Sequence, residues 1–290
     1  MRTSTASTPS ETRSGSSSRS SAEGAERLDG RLVARPGLSP RRRAGLALQR
    51  EIGRLTAILW VPAILGLMRG ALGWRIVGKE AVHREYREIR SRTTGPLLVC
   101  ANHLTMVDSA LVAWALGSPG WYLTNWSSVP WNTPERRNFA GSPGQRALSY
   151  LLKCLPISRG GDRGEVAAVL ESVAWVLSRG EVVLLFPEGG RSRTGRVELA
   201  NAAHGVGRIV GSVPGCRVLC VYLRGQHQQT YGDLPARNER FHVKLSCIEP
   251  RSPHLGVRRS LDLAQQIVRE IASLEERTLA DIEATRVRGH

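Results

Sequence analysis

A histidine and an aspartate follow one short apolar run of the chain. His103 and Asp108 come shortly after Leu97–Ala101, which has the length and composition of a buried strand. They are five positions apart, so they would not share a face of a continuous helix, but a turn between them would fold the carboxylate back onto the imidazole. A carboxylate that holds Nδ1–H leaves Nε2 free to take a proton from a substrate hydroxyl. An ordinary turn histidine with a local hydrogen bond is the competing interpretation.

A second group of polar residues follows a second apolar run. The segment 181–187 reads Glu-Val-Val-Leu-Leu-Phe-Pro, typical of a buried strand, and Glu188-Gly189-Gly190-Arg191 comes directly after it. The two glycines permit a tight turn with a close approach of the backbone. Ligands bind at the carboxyl ends of parallel strands, so Glu188 and Arg191 would emerge where a substrate lies, with Arg193 nearby. A surface turn with an ion pair is the alternative.

Arg159 is a third candidate, as a residue that binds an anion. It follows the short apolar run 155–157 and precedes two glycines, so it would lie at the end of a strand. The ordinary alternative is a turn arginine that faces solvent.

The elements that must position these residues alternate between strands and helices. Strands are predicted at 74–78, 97–101, 181–187, 218–223 and 241–247, and helices at 81–92, 145–154, 165–178, 200–210 and 260–284. This alternation predicts an α/β fold, a single mixed sheet flanked by helices. Residues 75–290 would form the catalytic domain, which ends in an amphipathic helix.

The part of the chain before this domain has two different compositions. Residues 1–44 are rich in Ser, Thr, Arg and Gly, which predicts a disordered tail. Residues 45–74 contain fourteen consecutive uncharged residues, 55–68, whereas about 20 are needed to cross a bilayer. Arginines flank this run at 50, 54 and 69, which favours a helix that lies in the membrane interface. An ordinary core helix is the alternative.

Trp121, Trp126 and Trp131 lie within eleven residues, outside any clear period. Packing of a loop against the core and an amphipathic lip that meets lipid both remain open for this segment.

The charge and the cysteine content of the chain indicate which binding partners and which cellular compartment to expect. The net charge is +16, and only three of the 41 basic residues are lysines. Such a surface attracts anionic phosphate, whether in lipid head groups, nucleotides or nucleic acid. The five cysteines form no Cys-x-x-Cys pair, so neither a disulfide framework nor a zinc site is indicated, and a reducing, cytosol-facing compartment is expected.

Taken together, these motifs resemble those of the glycerophospholipid acyltransferase family, which includes the 1-acyl-sn-glycerol-3-phosphate acyltransferases. His103-x-x-x-x-Asp108 matches the first block of that family, and Arg159 matches the end of the second. Phe-Pro-Glu-Gly-Gly-Arg-Ser at 186–192 matches the third block, with Gly190 in place of the usual Thr. The match to the fourth block is weak, because Cys220 stands where a proline is usual.

The resemblance implies transfer of a fatty acyl group from acyl-CoA or acyl carrier protein to a hydroxyl of a glycerol-phosphate-type lipid such as lysophosphatidic acid. His103, oriented by Asp108, would be the general base. Arg159 and Arg191 would grip the phosphate, Glu188 would orient Arg191 or bind a glycerol hydroxyl, and Gly189 and Gly190 would let backbone amides approach. The acyl carrier is a co-substrate, and no cofactor or metal is implied.

The expected partners are a phospholipid or lysophospholipid and the membrane surface. The protein would lie on the cytoplasmic face of the membrane, peripheral or monotopic. A tafazzin-like lysophospholipid transacylase, favoured by features such as Pro134-Glu135, and an esterase or phospholipase with the same dyad are the alternatives. Specific binding of nucleic acid is not expected, because no helix-turn-helix, zinc finger or RNA-binding aromatic block is present.

Overall fold

The computed structural model describes residues 25–28, 31–34, 37–139, 141–158 and 160–288. The chain separates into two compact units, Met1–Ser39 and Pro40–His290. In the first unit, strand β1 (Ala25–Leu28) pairs antiparallel with strand β2 (Arg31–Ala34). The disorder predicted for residues 1–24, 29–30 and 35–36 lies outside the described residues.

The second unit begins with a long helix, α1 (Pro40–Gly66). The predicted tail was therefore drawn too far, because residues 40–44 are helical. Pro40 explains the early start, since proline at a first helical position has a backbone angle that already suits the helix. The helix continues through Pro62 and ends in the π-helical turn Leu67–Ala71. It is thus much longer than its fourteen-residue uncharged run, and by length and composition alone Pro40–Ala71 could cross a membrane.

A mixed six-stranded sheet forms the centre of this unit, as the sequence predicted. Its strands lie in the order β3-β8-β7-β4-β6-β5. They are β3 (Arg75–Ile76), β4 (Leu97–Ala101), β5 (Trp131–Asn132), β6 (Val183–Leu185), β7 (Arg217–Gly225) and β8 (Arg240–Ile248). All pairs are parallel except β7–β8, which is antiparallel. Strand β4 lies at the centre, and its five residues are completely buried.

Helices pack around this sheet. They are α2 (Lys79–Arg92), α3 (Asp108–Leu116), α4 (Pro119–Thr124), α5 (Arg136–Phe139), α6 (Pro143–Leu151), α7 (Arg163–Ser178), α8 (His204–Ser212) and α9 (Gly256–Arg288). Trp126 and Trp131 are buried, so the tryptophan segment packs into the core and is not an exposed lip.

A buried ionic cluster fixes α1 to the sheet. Glu181, just before β6, accepts hydrogen bonds from Arg50 Nε of α1 at 2.7 Å and from Lys153 Nζ at 2.8 Å. Trp131 Nε1 donates to the same carboxylate at 2.9 Å. Burial lowers the pKa of Lys153 to about 8, and the charge of Glu181 opposes that shift. The predicted strand 181–187 is shorter than expected because its first residue serves this cluster.

Candidate active site

The topology of the sheet brings the two main motifs to one edge. Strands β4 and β6 are parallel neighbours, with Cys100 opposite Leu185, so the segments that follow them leave the sheet at the same end. His103 follows β4 and Ser192 belongs to the segment after β6. The backbone N–H of Ser192 donates to the carbonyl oxygen of His103 at 2.9 Å. The two segments therefore meet at this end of the sheet.

The carboxylate of Asp108 folds back onto the imidazole, as the sequence led us to expect. Its Oδ2 lies 3.0 Å from His103 Nδ1. The same oxygen accepts the backbone N–H groups of Leu104 and Thr105, and Oδ1 accepts the hydroxyl of Thr105. Asp108 is also the first residue of α3, where the helix dipole favours a negative charge. The carboxylate is thus held in one orientation by several donors.

The turn that carries His103 is tied to a neighbouring strand. Asn102 Nδ2 donates to the carbonyl of Leu223 on β7 at 3.0 Å, and its Oδ1 accepts the N–H of Leu223 at 2.8 Å. The sequence predicted no role for Asn102 or for Thr105. A polar residue at the end of a fully apolar strand was the available signal for Asn102.

One side of the imidazole is covered by the second motif. The His103 ring stacks on Phe186, with 4.0 Å between ring centroids and 15° between planes. Within the described part of the chain, Nδ1 makes the hydrogen bond to Asp108 and Nε2 makes none. The His103 side chain is largely buried but not sealed. This arrangement leaves Nε2 available to a substrate hydroxyl.

Glu188 lies behind the histidine turn. Its Oε2 accepts the backbone N–H of Glu198 at 3.3 Å, and the backbone N–H of His103 is also close to the carboxyl group. Oε1 is buried and has no hydrogen-bond partner among the described residues. Burial raises the pKa of Glu188 to about 7, and the charges of Glu275 and Glu198 add to the shift.

The prediction that Glu188 orients Arg191 is wrong, because no hydrogen bond or ion pair joins them in the described residues. Arg191 Nη1 donates instead to Asp233 Oδ1 at 2.8 Å and to the carbonyl of Gly232 at 2.9 Å. Its guanidinium also lies over the ring of Tyr231 at 5.7 Å. These partners belong to the β7–β8 connection (residues 226–239), where no local pattern in the sequence pointed to a site.

The β7–β8 connection also holds the histidine turn. The N–H of Gly232 donates to the carbonyl of Leu104 at 3.0 Å, and the N–H of Met106 donates to the carbonyl of Asp233 at 3.1 Å. Arg191 is therefore linked to the His103 turn through residues 232 and 233.

Three predicted site residues remain: Gly189, Gly190 and Arg159. Gly189 has φ of +70°, a conformation that glycine adopts without strain, and Gly190 continues that turn. Arg159 lies outside the described residues, so its predicted contact with phosphate stays a prediction. In the described ranges, no group of three or more His, Cys, Asp or Glu residues could hold a metal ion.

An apolar cavity of about 160 Å³ lies between α1 and α3. Ser109 and Ala110, the two residues after Asp108, belong to its lining. Trp60, Ile64 and Leu65 of α1, with Met68 of the π-helical turn that follows, supply one wall. Ala113, Tyr122 and Trp126 lie among the other lining residues. A cavity with this lining can hold an alkyl chain.

Fold and site together define an α/β protein with a histidine–aspartate pair after the central strand of its sheet, and with an apolar cavity lined by the helix that Asp108 begins. Residues 75–224 match the Acyltransferase family model, and the chain belongs to this family, as its motifs predicted. The chain is also similar to the crystal structure of the 1-acyl-sn-glycerophosphate (LPA) acyltransferase PlsC from Thermotoga maritima, with 14% sequence identity, a TM-score of 0.39, and coverage of 80% of this chain and 97% of that chain. No curated protein matches the chain.

Proposed function

We propose that this acyltransferase moves a fatty acyl group from acyl-CoA or acyl carrier protein to the hydroxyl of a glycerol-phosphate-type lipid. The observation that carries the proposal is the contact of 3.0 Å between His103 Nδ1 and Asp108 Oδ2. This contact leaves Nε2 as the basic atom, and the cavity offers a place for the acyl chain.

The reaction is a direct transfer between two substrates. Nε2 of His103 takes the proton of the acceptor hydroxyl as its oxygen attacks the thioester carbonyl. The C–S bond then breaks, and the leaving thiolate takes the proton back from the imidazolium. Asp108 stabilises the imidazolium while it exists. General-base assistance of this kind contributes about 10²–10⁴ in rate, and positioning of the two substrates supplies much of the rest.

Arginines bind the acceptor's phosphate in this proposal. Arg191 suits that role because a guanidinium can donate two parallel hydrogen bonds to one phosphate. Arg159 would supply the second contact. Glu188 would bind a glycerol hydroxyl through Oε1, its oxygen without a partner among the described residues.

A peripheral or monotopic attachment to the cytoplasmic face of a membrane also belongs to the proposal. Leu55, Ile58 and Leu59 of α1 are 75%, 67% and 73% exposed, and a contiguous exposed apolar patch marks a surface that contacts a membrane or another protein. The arginines at 41, 43, 54 and 69 lie along the same segment and suit anionic head groups. Replacement of Leu55 and Leu59 by Glu should weaken sedimentation of the protein with anionic vesicles. Undiminished binding would contradict attachment through this helix.

The activity is tested with purified protein, labelled acyl-CoA and a set of lyso-acceptors, with the lipid product identified. His103→Ala should abolish transfer without lowering the melting temperature substantially, whereas His254→Ala, at an exposed histidine, should leave the rate unchanged. Arg191→Ala should mainly raise the KM for a phosphorylated acceptor. An active, folded His103→Ala protein would overturn the base assignment, and release of free fatty acid without a lyso-acceptor would indicate an esterase.

A further inference from the structure

We infer that the acceptor is a zwitterionic lysophospholipid, whose phosphodiester binds Arg191 and whose ammonium group binds Asp233. This inference rests on the proposed function and names the head group that the same site takes. It makes Asp233 the residue that selects the acceptor.

Only one nitrogen of the Arg191 guanidinium, Nη1, forms hydrogen bonds with the described residues. Both hydrogens of Nη1 are used by Gly232 and Asp233. Nε and Nη2 form no hydrogen bond with any described residue, and together they make the edge of a guanidinium that binds two oxygens of one phosphate. A phosphate can therefore bind Arg191 without displacing Asp233.

A phosphate in that position would lie close to a negative charge. The carboxylate of Asp233 is 2.8 Å from Nη1 and its side chain is 77% exposed. The Arg191–Asp233 pair has no net charge, so it gives little attraction to the dianionic monoester of lysophosphatidic acid. A phosphodiester with one negative charge is repelled less. If a two-carbon linker joins that diester to an ammonium group, the cation can reach the carboxylate beside the guanidinium.

The surroundings of Asp233 also suit a cation. Tyr231 lies against Arg191 and is 43% exposed, so part of its aromatic surface is accessible next to the Arg191–Asp233 pair. Aromatic rings and carboxylates are the groups that attract ammonium ions.

Asp233 is fixed relative to the catalytic dyad. Its carbonyl accepts the N–H of Met106, and the preceding residue donates to Leu104, so both contacts reach the turn between His103 and Asp108. These backbone contacts keep Asp233 beside the catalytic turn. A head group of suitable length can therefore reach its carboxylate while the acceptor hydroxyl is at His103.

The test compares three acceptors with the same acyl chain in neutral detergent micelles, with acyl-CoA as the donor. Lysophosphatidylethanolamine is zwitterionic, lysophosphatidylglycerol has the phosphodiester without the ammonium, and lysophosphatidic acid has the dianionic monoester. We expect kcat/KM to fall in that order for the natural protein. Asp233→Asn should lower kcat/KM for lysophosphatidylethanolamine about fivefold, the size of an exposed ion pair, and raise it for lysophosphatidic acid.

Asp281→Asn is the matched control, because Asp281 also forms an exposed ion pair, with Lys244 at 2.6 Å, and lies on α9. It should leave the order and the ratios unchanged. If Asp233→Asn lowers the melting temperature, Asp233→Glu is the second variant, and it should retain part of the preference for the zwitterion.

Three results would overturn the inference. A natural protein that prefers lysophosphatidic acid, or an Asp233→Asn protein that changes all three acceptors by one factor, would refute the head-group assignment while acyl transfer itself stands. A natural protein that acylates none of the three would refute the proposed function and this inference with it.

Discussion

The imidazole of His103 lies flat against the ring of Phe186, with 4.0 Å between centroids and 15° between planes. The two residues belong to different motifs, and the contact joins them through side chains as well as through the backbone. Phe186 therefore limits the tilt of the ring, while Asp108 limits its rotation through Nδ1. Together, the contacts with Phe186 and Asp108 fix the position of Nε2.

Asp108→Asn should lower kcat by about 10²–10⁴ with little change in KM. An asparagine oxygen can still accept the three N–H groups, and its amide can donate to the Thr105 hydroxyl, so the turn should keep its shape. The neutral side chain no longer stabilises the imidazolium. Steady-state kinetics with a saturating donor measures the effect. A variant with normal kcat would show that the carboxylate only supports the turn.

Whether a feature of this site could be predicted from the sequence depends on how far apart the residues in contact lie along the chain. Strand β4 was predicted with its observed limits because no polar residue interrupts Leu97–Ala101. The contact between Asp108 and His103 could also be predicted, since both residues belong to one short turn. The contact between Asp233 and Arg191 could not be predicted, because it joins two loops that are distant in sequence and share no pattern.

The helix α1 illustrates a different limit. Its start at Pro40 was missed because arginines and serines dominate the composition of the preceding residues. Local composition carries no information about tertiary contacts. The helix is stabilised by such contacts, for example the hydrogen bond of 3.3 Å from Arg42 to Ser172 of α7. The family motifs identified the candidate site residues, whereas the contacts that support them are visible only in the folded structure.

Glu188→Gln should flatten the dependence of stability on pH. The pKa of Glu188 is raised from 4.5 to about 7 in the folded protein, so the folded state binds more protons than the unfolded state between these values. Stability of the natural protein should therefore fall as pH rises from about 4.5 to 7, by about 1–3 kcal/mol from this group.

Urea unfolding at pH 5 and pH 8 measures that difference. Glu171→Gln, at an exposed position of α7, is the control and should keep the natural slope. A Glu188→Gln protein with the same pH dependence as the natural protein would contradict the raised pKa.

Ala113→Phe should shorten the acyl chain that the enzyme accepts. Ala113 lines the cavity of about 160 Å³, and a phenyl ring would fill much of it. We expect kcat/KM for palmitoyl-CoA to fall about tenfold or more, whereas octanoyl-CoA should be affected little. Ala280→Phe, exposed on α9, is the control. Equal losses for both donors would place the acyl chain elsewhere.

Lys153→Met should destabilise the protein far more than Arg50→Met, although both residues bind Glu181. The side chain of Lys153 is 1% exposed and that of Arg50 is 30% exposed. Removing one partner of a buried pair costs about 3–5 kcal/mol, whereas an exposed pair contributes about 1 kcal/mol or less. Arg50 still binds Glu181 in the first variant, so we expect about 3 kcal/mol for Lys153→Met and about 1 kcal/mol for Arg50→Met.

The pH dependence gives the same cluster a second test. The pKa of Lys153 is about 8 in the folded protein, below its ordinary value of 10.5, so the unfolded state binds more protons between these values. Stability from this group should therefore rise as pH increases from 8 to 10.5, and Lys153→Met should lack that rise. Urea unfolding at pH 8 and pH 10 measures it in both variants. Equal costs for Lys153→Met and Arg50→Met, with the rise kept in both, would contradict the assignment of Lys153 as the buried cation of this cluster with a lowered pKa.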